Sequence, residues 1–546
     1  MLFRSTVLIS LREELQTVTD PVPTSYDEMP YLGKAFPQTH PDRLGTIARL
    51  FGLRPPDPES CRVLELGCAS GENLIPMAVG LPDARFVGID LSARQIEQGR
   101  QTVAALGLAN IELRHHNIAD VDASWGVFDY IICHGIYSWV PAPVREKILA
   151  ICRENLAADG VAYISYNALP GWHVRGMIRD MMSYHSAPFQ GPLPKVQQAR
   201  ALLDFLAQSV PTTLPYGMVL RQELDTIRNE PDAYLFHEHL EEINEPFYFH
   251  QFADAAARHG LEYLGEADIG DMLVSNFPDQ IAQTLRRIST DLVRMEQYID
   301  FIRNRTFRQT LLIHQGATLR RNLDDILLDG FYVASAARPE SARPVLTQGV
   351  SETFRTPGGA THNIVDALTK AALVLLAQQW PGCLPFGELA AMSRASLRQS
   401  VGTATGEAGF EDDDRSFSAR LLQGYVVRAV ELRLRPPRLT PTPSARPVAS
   451  PLVRLQAERG RTVTNLRHEP GQLNELHRRM LPLLDGTRDL DALVAAVVRL
   501  AQEGKIGVRV QEGGPTVTDE ALLEKTLRRA VASGLAELAM SGLLLE

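Results

Sequence analysis

RVLELGCASG, residues 62–71, is the stretch on which the fold turns. Its first half is a short, mostly aliphatic run that reads as a buried strand. Its second half places Gly67 and Gly71 where a tight turn can carry backbone N–H groups close to a ligand before a helix begins. The alternation continues from there. A helix is expected around 72–80, the strand RFVGID at 85–90, a helix over 92–107 and the strand IELRHHNI at 111–118. The strand VFDYIICHG follows at 127–135. A helix over 143–157 is expected to stop near Asp159-Gly160, before the strand VAYISYN at 161–167. Strands separated by helices predict right-handed crossovers and a parallel, Rossmann-like α/β sheet.

The rest of the 546 residues supplies further domains. After Pro170 the pattern turns helical, and a helical insertion or regulatory region is expected at about 176–250. HGLEYLGEAD (259–268) and RTFRQTLLIHQ (305–315) read as the last two strands of the same sheet, which would then have seven. The stretches 334–344 and 434–451 read as linkers, the second carrying six prolines in 18 positions. The expected division is therefore 21–333, 345–433 and 452–546. In each of the last two, short helices precede a β-ribbon (GKIGVRV in the second), so winged-helix-like α+β modules are expected.

Charge narrows the partners. The net charge is −10, and residues 451–546 hold 13 basic and 13 acidic side chains. A nucleic-acid reader would carry a basic face, so no nucleic acid is expected. No apolar run reaches the ~18 residues of a membrane span, and the leader MLFRSTVLISLREELQTV lacks a cleavage pattern. Five cysteines without a CxxC pair suggest reduced, buried thiols in a cytoplasmic protein. The cluster His237-Glu238-His239 places its imidazoles at i and i+2, on opposite sides of a helix, so no metal is expected.

The strand ends carry a ligand set. Glu65 precedes the first glycine of the loop by two residues. A carboxylate there would repel a pyrophosphate but suits a ligand bearing an ammonium group and no phosphate, as S-adenosylmethionine does. Asp90 ends the second strand, where a carboxylate can accept from both ribose hydroxyls. Asn117, flanked by Ile118, ends the third and could meet an adenine edge, while Cys133 and His134 end the fourth. The candidate cofactor set is Tyr31, Glu65, Gly67, Cys68, Ala69, Gly71, Asn73, Asp90, Leu91, Gln95, Asn117, Ile118, Cys133 and His134. Tyr26 and Tyr31 are expected to close over the cofactor as part of a lid.

The blocks VLELGCASGENLIPMA, FVGIDLSARQIEQG, FDYIICHGIYSWVP and YISYNALPGWHVRGMIRDMM resemble the class I methyltransferases that carry a methyltransferase regulatory domain, the rickettsial protein lysine methyltransferases in particular. The resemblance extends through SYDEMPYLGKAFPQTHPDRL (25–44) and YIDFIRNRTFRQTLLIHQ (298–315), and departs from the usual loop at Ala69, where a glycine is common. It implies S-adenosylmethionine as cofactor, a lysine-bearing protein as substrate and a winged-helix C-terminus. A homodimer joined through the insertion is a further expectation.

Methyl transfer from a sulfonium is an in-line displacement, so the protein must align donor and acceptor and exclude water. Tyr137 and Trp139 follow the fourth strand, and Tyr166, Asn167 and Trp172 surround the exit of the fifth. Aromatic faces favour ammonium and sulfonium charge. His134 is the candidate proton acceptor, with Tyr166 and Asn167 fixing the amine; ordinary packing of these rings is the competing reading.

Overall fold

A computed structural model describes residues 25–30, 33–323, 326–401, 413–509 and 519–545. The short α1 (Ser25–Glu28) and α2 (Pro41–Leu50) precede β1 (Arg62–Leu66), α3 (Leu74–Gly80), β2 (Arg85–Asp90), α4 (Ala93–Leu106) and β3 (Ile111–His115). Then come β4 (Phe128–Cys133), α5 (Ala142–Asn155) and β5 (Leu156–Asn167). The four helices α6 (Gly171–Ser186), α7 (Pro192–Ser209), α8 (Pro215–Ile227) and α9 (Asp232–Leu235) form the insertion, which ends in a π-helical turn, Phe236–Leu240. The chain returns through α10 (Phe249–Arg258) to β6 (Leu261–Glu266), then α11 (Asp279–Ile288), α12 (Leu292–Arg303) and β7 (Phe307–His314).

The seven strands form one sheet in the order β3-β2-β1-β4-β5-β7-β6. The first five are parallel, and β7 runs antiparallel to both β5 and β6. The last two strands thus return to the sheet after the insertion, as the sequence indicates. Strand order reverses between β1 and β4, and a crevice opens at the carboxyl ends there. Glu65, Asp90, His134 and Asn167 all lie at those ends.

Some local expectations are corrected. Asp159-Gly160 does not stop a helix: α5 ends at Asn155, whose side chain donates to the carbonyls of Asp122 and Gly126, and β5 runs through both residues. Gly160 is needed there because a Cβ would lie 2.8 Å from the Asp129 carbonyl, where the register against β4 shifts. The third strand ends at His115, two residues before Asn117. Residues 504–508 of GKIGVRV lie outside any strand, Arg509 is a β-bridge residue, and Val510 lies outside the described residues.

Neither linker is a loose tether. Residues 334–344 contribute the end of β8 (Tyr332–Ala334) and β9 (Arg338–Pro339), and Ser335 Oγ donates to the Ala429 carbonyl at 2.6 Å. β9 pairs with the hairpin β10 (Glu352–Arg355) and β11 (Thr361–Ile364). A second small sheet joins β8, β12 (Leu384–Pro385) and β13 (Glu431–Arg433), beside α13 (Ala367–Gln379), α14 (Phe386–Val401) and α15 (Asp414–Val426). The start of the proline-rich run is fastened to α2, where Asp42 Oδ1 accepts from the N–H groups of Leu434 and Arg435 at 2.8 and 2.9 Å. Gly45 permits the approach, since a Cβ there would meet Leu434 at 2.8 Å.

The C-terminal module contains β14 (Val448–Ala449), α16 (Pro451–Arg459), the hairpin β15 (Thr462–Thr464) and β16 (Pro470–Gln472), α17 (Glu475–Met480), α18 (Leu490–Gln502), α19 (Glu520–Met540) and β17 (Leu544–Leu545). It has its own apolar core, in which Val463, Leu493, Val497 and Val531 are buried.

The far edge of the main sheet is held by a buried ion cluster. Arg308 on β7 donates to Asp300, Glu266 and Glu296 at 2.6–3.0 Å and lies over the Phe249 ring. Arg305 adds a second cation 2.7 Å from Asp300. Burial raises Glu296 to about 7 even against the pull of Arg308. Arg308→Met should therefore lower the unfolding free energy by about 3–5 kcal/mol, read from the denaturant midpoint, because Glu266 and Glu296 lose their cation and Asp300 keeps only Arg305. Part of the loss should be recovered in acid, where they take up protons. A loss under about 1 kcal/mol would show that the cluster does not hold this edge.

Candidate active site

The loop after β1 folds as its glycines require. Gly67 and Gly71 have φ of +74° and +80°, and Ala69 joins them at +50°. A side chain at 67 would overlap Ile136, its Cβ only 2.3 Å from Cδ1. The Ala69 N–H donates to Asp90 Oδ2 at 2.9 Å, and the Ser92 N–H to Oδ1 at the same distance. Both oxygens of Asp90 are thus oriented by backbone, each keeping a lone pair for a further donor. The helix that follows is capped by Ser92, which accepts from the Gln95 N–H, so Asp90 is not spent as its cap.

Glu65 and Glu72 each leave one carboxylate oxygen without a partner in the crevice, and Glu65 is the more deeply buried. Its Oε1 accepts from Asn73 Nδ2 at 2.8 Å, whereas Oε2 is buried without a partner. Burial pushes its pKa to about 8, with Glu72 and Asp90 adding to the rise. Burial also raises Asp90 and Glu72 above the ordinary carboxylate range. An orphaned carboxylate oxygen beside two other acids calls for a cation from outside the chain, and an amino-acid ammonium fits it.

These groups face a cavity of about 330 Å³. Of the residues read from the sequence, Glu65, Gly67, Cys68, Ala69, Asn73, Asp90, Gln95, His134, Trp139, Asn167 and Trp172 line it. Others do not reach it. Cys133 and Tyr166 are buried in the core beneath: Tyr166 precedes Asn167 on β5, where successive side chains point to opposite faces, and Cys133 is the last residue of β4, ahead of His134. Tyr166 stacks on Phe252 at 4.2 Å, and Tyr137 packs against the same ring at 5.2 Å. Neither tyrosine lines the cavity. Asn117 is exposed, and its Oδ1 accepts from the Ala119 N–H. Ile118 packs against the core, Leu91 is 54% exposed, and Gly71 serves the turn. Tyr31 and the side chain of Tyr26, the expected lid, lie outside the described residues.

The wall toward the insertion is aromatic. Trp139 and Trp172 meet edge to face at 6.3 Å, and Arg175 lies over the Trp172 ring. His134 packs against Phe36, their ring centroids 3.8 Å apart and the rings tilted by 37°, and its Nδ1 pairs with the Tyr163 hydroxyl at 2.9 Å. Burial, with Lys34 nearby, lowers His134 to about 3. An imidazole shifted this far down is a weak base toward an alkylammonium, which argues against His134 as the proton acceptor expected from sequence. Asn167 donates through Nδ2 to Asn244 at 3.0 Å, and its N–H is held by Ser138 Oγ.

The cavity also draws on residues the sequence reading passed over: Lys34, Phe36, Glu72, Arg175, Tyr234, Glu238 and Phe307. Glu72 was legible, since it adjoins the glycine loop, and Lys34 and Phe36 lie inside the resembling stretch 25–44. Tyr234 and Glu238 carry no local signal, because the fold of the insertion brings them in. His237 and His239 have separate partners: His237 pairs with Glu241 and the Met29 carbonyl, and His239 lies beside Glu223. Among the described residues no three His, Cys, Asp or Glu groups are arranged to hold a metal.

Three family models match the chain. They are a methyltransferase domain over 63–160, a domain described as "predicted methyltransferase regulatory domain" over 231–314, and the PKMT C-terminal winged helix domain over 445–543. The uncharacterized protein RP789 of Rickettsia prowazekii is 38% identical over 498 residues, 90% of this chain and 88% of that protein. A second uncharacterized protein of the same organism, RP028, is 44% identical over 241 residues, 44% of this chain and 96% of its own length. Among solved structures, PKMT2 from Rickettsia typhi in complex with AdoHcy aligns with a TM-score of 0.84 and 33% identity, covering 95% of this chain and 100% of that one.

The displaced pKa of Glu65 has a measurable consequence without any ligand. A carboxyl that holds its proton to about pH 8 when folded, but releases it near 4.5 when unfolded, lowers stability as pH rises between those values. Glu65→Gln should flatten that part of the stability–pH curve and raise stability at pH 8, as followed by thermal unfolding from pH 5 to 9. Parallel curves for the two proteins would mean that Glu65 is ionised and satisfied in the fold.

Proposed function

This chain belongs to the S-adenosylmethionine-dependent methyltransferases of the PKMT type, and from that premise we propose that it methylates lysine side chains of a protein substrate. The observation that carries the site assignment is the buried, unpartnered Oε2 of Glu65, on a loop whose conformation leaves room for a ligand. In this reading Glu65 pairs with the cofactor ammonium and Asp90 accepts from the ribose diol. When bound, the cofactor supplies a methyl group made electrophilic by its sulfonium.

The remaining work falls to the walls. Trp139 and Trp172 form a slot that admits a narrow alkyl chain and excludes water, and their faces favour the positive charge that passes from the sulfonium to the nitrogen during transfer. Asn167, fixed by Asn244 and Ser138, orients the incoming nitrogen. Desolvation by these walls lowers the amine pKa, so its proton passes to solvent on entry and no side chain of the site has to serve as base. Trp139 and Trp172 are positioned by their own edge-to-face contact, and Arg175, tied to Glu223 and Glu238, buttresses Trp172.

We also infer a homodimer joined through the insertion, whose surface exposes Tyr184, Phe205, Leu214 and Met218. A sedimentation mass of one chain at micromolar concentration would rule this out. No helix of the described residues is long and apolar enough to cross a membrane. A cytoplasmic location accords with five cysteines that are all unpaired, four of them buried.

Titration calorimetry with S-adenosylmethionine tests the cofactor site. Because Glu65 must lose its proton to pair with the ammonium, binding at pH 7 should release close to one proton, seen as a dependence on buffer ionisation heat. Glu65→Gln should abolish the release, and Asp90→Ala should weaken binding by tenfold or more. Acid hydrolysates of a lysine-rich protein incubated with enzyme and labelled cofactor should contain methyl-lysines, and Trp139→Ala should reduce their rate of formation by tenfold or more. Label on other residues alone would overturn the lysine assignment and leave the cofactor site standing.

A further inference from the structure

The cofactor loop has a partner far along the chain. The tip of the β15–β16 hairpin, residues 465–469, reaches out of the C-terminal module and is clamped on both sides. Arg467, almost fully buried, donates to the Pro381 carbonyl and to Glu431 at 2.6 and 2.5 Å and lies over the Trp380 ring. His468, next in the chain, is buried beside the His40 ring, with its Nε2 2.9 Å from Oδ1 of Asn73 at the end of the cofactor loop. Its φ of +64° is a left-handed conformation, fixed by Asn465, whose Oδ1 accepts from the N–H groups of both Arg467 and Glu469.

The polarity of this contact can be assigned. The Phe36 N–H donates to Asn73 Oδ1 at 2.9 Å, so that atom is the amide oxygen and His468 Nε2 must be the donor. Burial, then Arg43 and Arg433, lower His468 to about 3, so the ring is neutral and carries one N–H. With its oxygen held on one side, the Asn73 amide must present Nδ2 on the other, to Glu65 Oε1 at 2.8 Å and Thr39 Oγ at 3.0 Å.

We propose that His468 is a positioning residue of the cofactor site, by which the C-terminal domain fixes the Asn73 amide and through it aims Glu65 at the cofactor ammonium. The inference rests on the reading of Glu65 given above. It makes the C-terminal domain a structural part of the nucleotide site, with docking of the hairpin and binding of cofactor favouring each other reciprocally.

The test compares two ligands in the full-length protein. S-adenosylhomocysteine carries the ammonium, and 5′-methylthioadenosine keeps the nucleoside but lacks it. His468→Asn removes the long-reach donor with a residue that tolerates positive φ, and His468→Leu removes it by an apolar substitution. Either variant that folds reads the same link. The expected result is about tenfold weaker binding of S-adenosylhomocysteine, unchanged binding of 5′-methylthioadenosine, and a KM for S-adenosylmethionine raised with kcat within about twofold. His468→Gln, whose amide N–H can replace Nε2–H, should restore most of the lost affinity. Equal weakening of both ligands, or a fall in kcat alone, would show that His468 only supports the fold and would overturn the inference. Failure of the parent protein to bind S-adenosylhomocysteine would instead sink the cofactor reading itself.

Discussion

The side-chain amide of Asn73 is the point through which the catalytic region is organised. Its oxygen accepts from the Phe36 N–H and His468, and its nitrogen donates to Glu65 and Thr39. These contacts join the segment before α2, the end of β1, the start of α3 and the C-terminal hairpin. An amide suits this place because it offers a donor and an acceptor on a rigid plane without charge. A carboxylate would add a fourth acid to Glu65, Glu72 and Asp90, and an apolar group would leave several buried polar atoms unmatched.

Two buried groups of acids lie in the same sheet and have opposite characters. Around Arg308, Glu266, Glu296 and Asp300 surround a guanidinium whose planar fork gives each of them a hydrogen bond. Two guanidiniums, Arg308 and Arg305, meet the three carboxylates of that cluster, although Glu296 keeps one oxygen without a partner. Around the cavity, none of Glu65, Asp90 and Glu72 is hydrogen-bonded to a guanidinium among the described residues, and Glu65 and Glu72 each keep one oxygen without a partner. An orphaned carboxylate oxygen alone therefore does not mark a site; here it marks one because the acids border a cavity that a cationic ligand can enter.

The sequence carried the architecture well because its signals are local. Buried parallel strands are short aliphatic runs, the turn glycines fall at the strand end, and Glu65 and Asp90 are fixed by their distance from that turn. The reading of Tyr166 and Asn167 assigned two neighbours on one strand to one face. Alternation along the strand decides between such a pair, and the sequence shows only that one of them must turn away. The proline-rich run 434–451 misled for another reason: composition reports backbone stiffness and is silent about the Asp42 carboxylate that fastens it. Tyr234, Glu238 and His468 could not be found at all, since only the closed fold brings them beside the loop.

The separation between Asn73 and its histidine also has a temporal side. The two residues are 395 positions apart. At roughly 5–20 residues per second, a ribosome that has released the loop takes about 20–80 s to deliver the residue that pins its amide. During that interval the growing chain displays a nucleotide fold whose Asn73 oxygen is held by the Phe36 N–H but not yet by His468. The C-terminal module thus adds its hold to a site already assembled around Phe36, Thr39 and Glu65, and a chain cut short before it lacks that further donor.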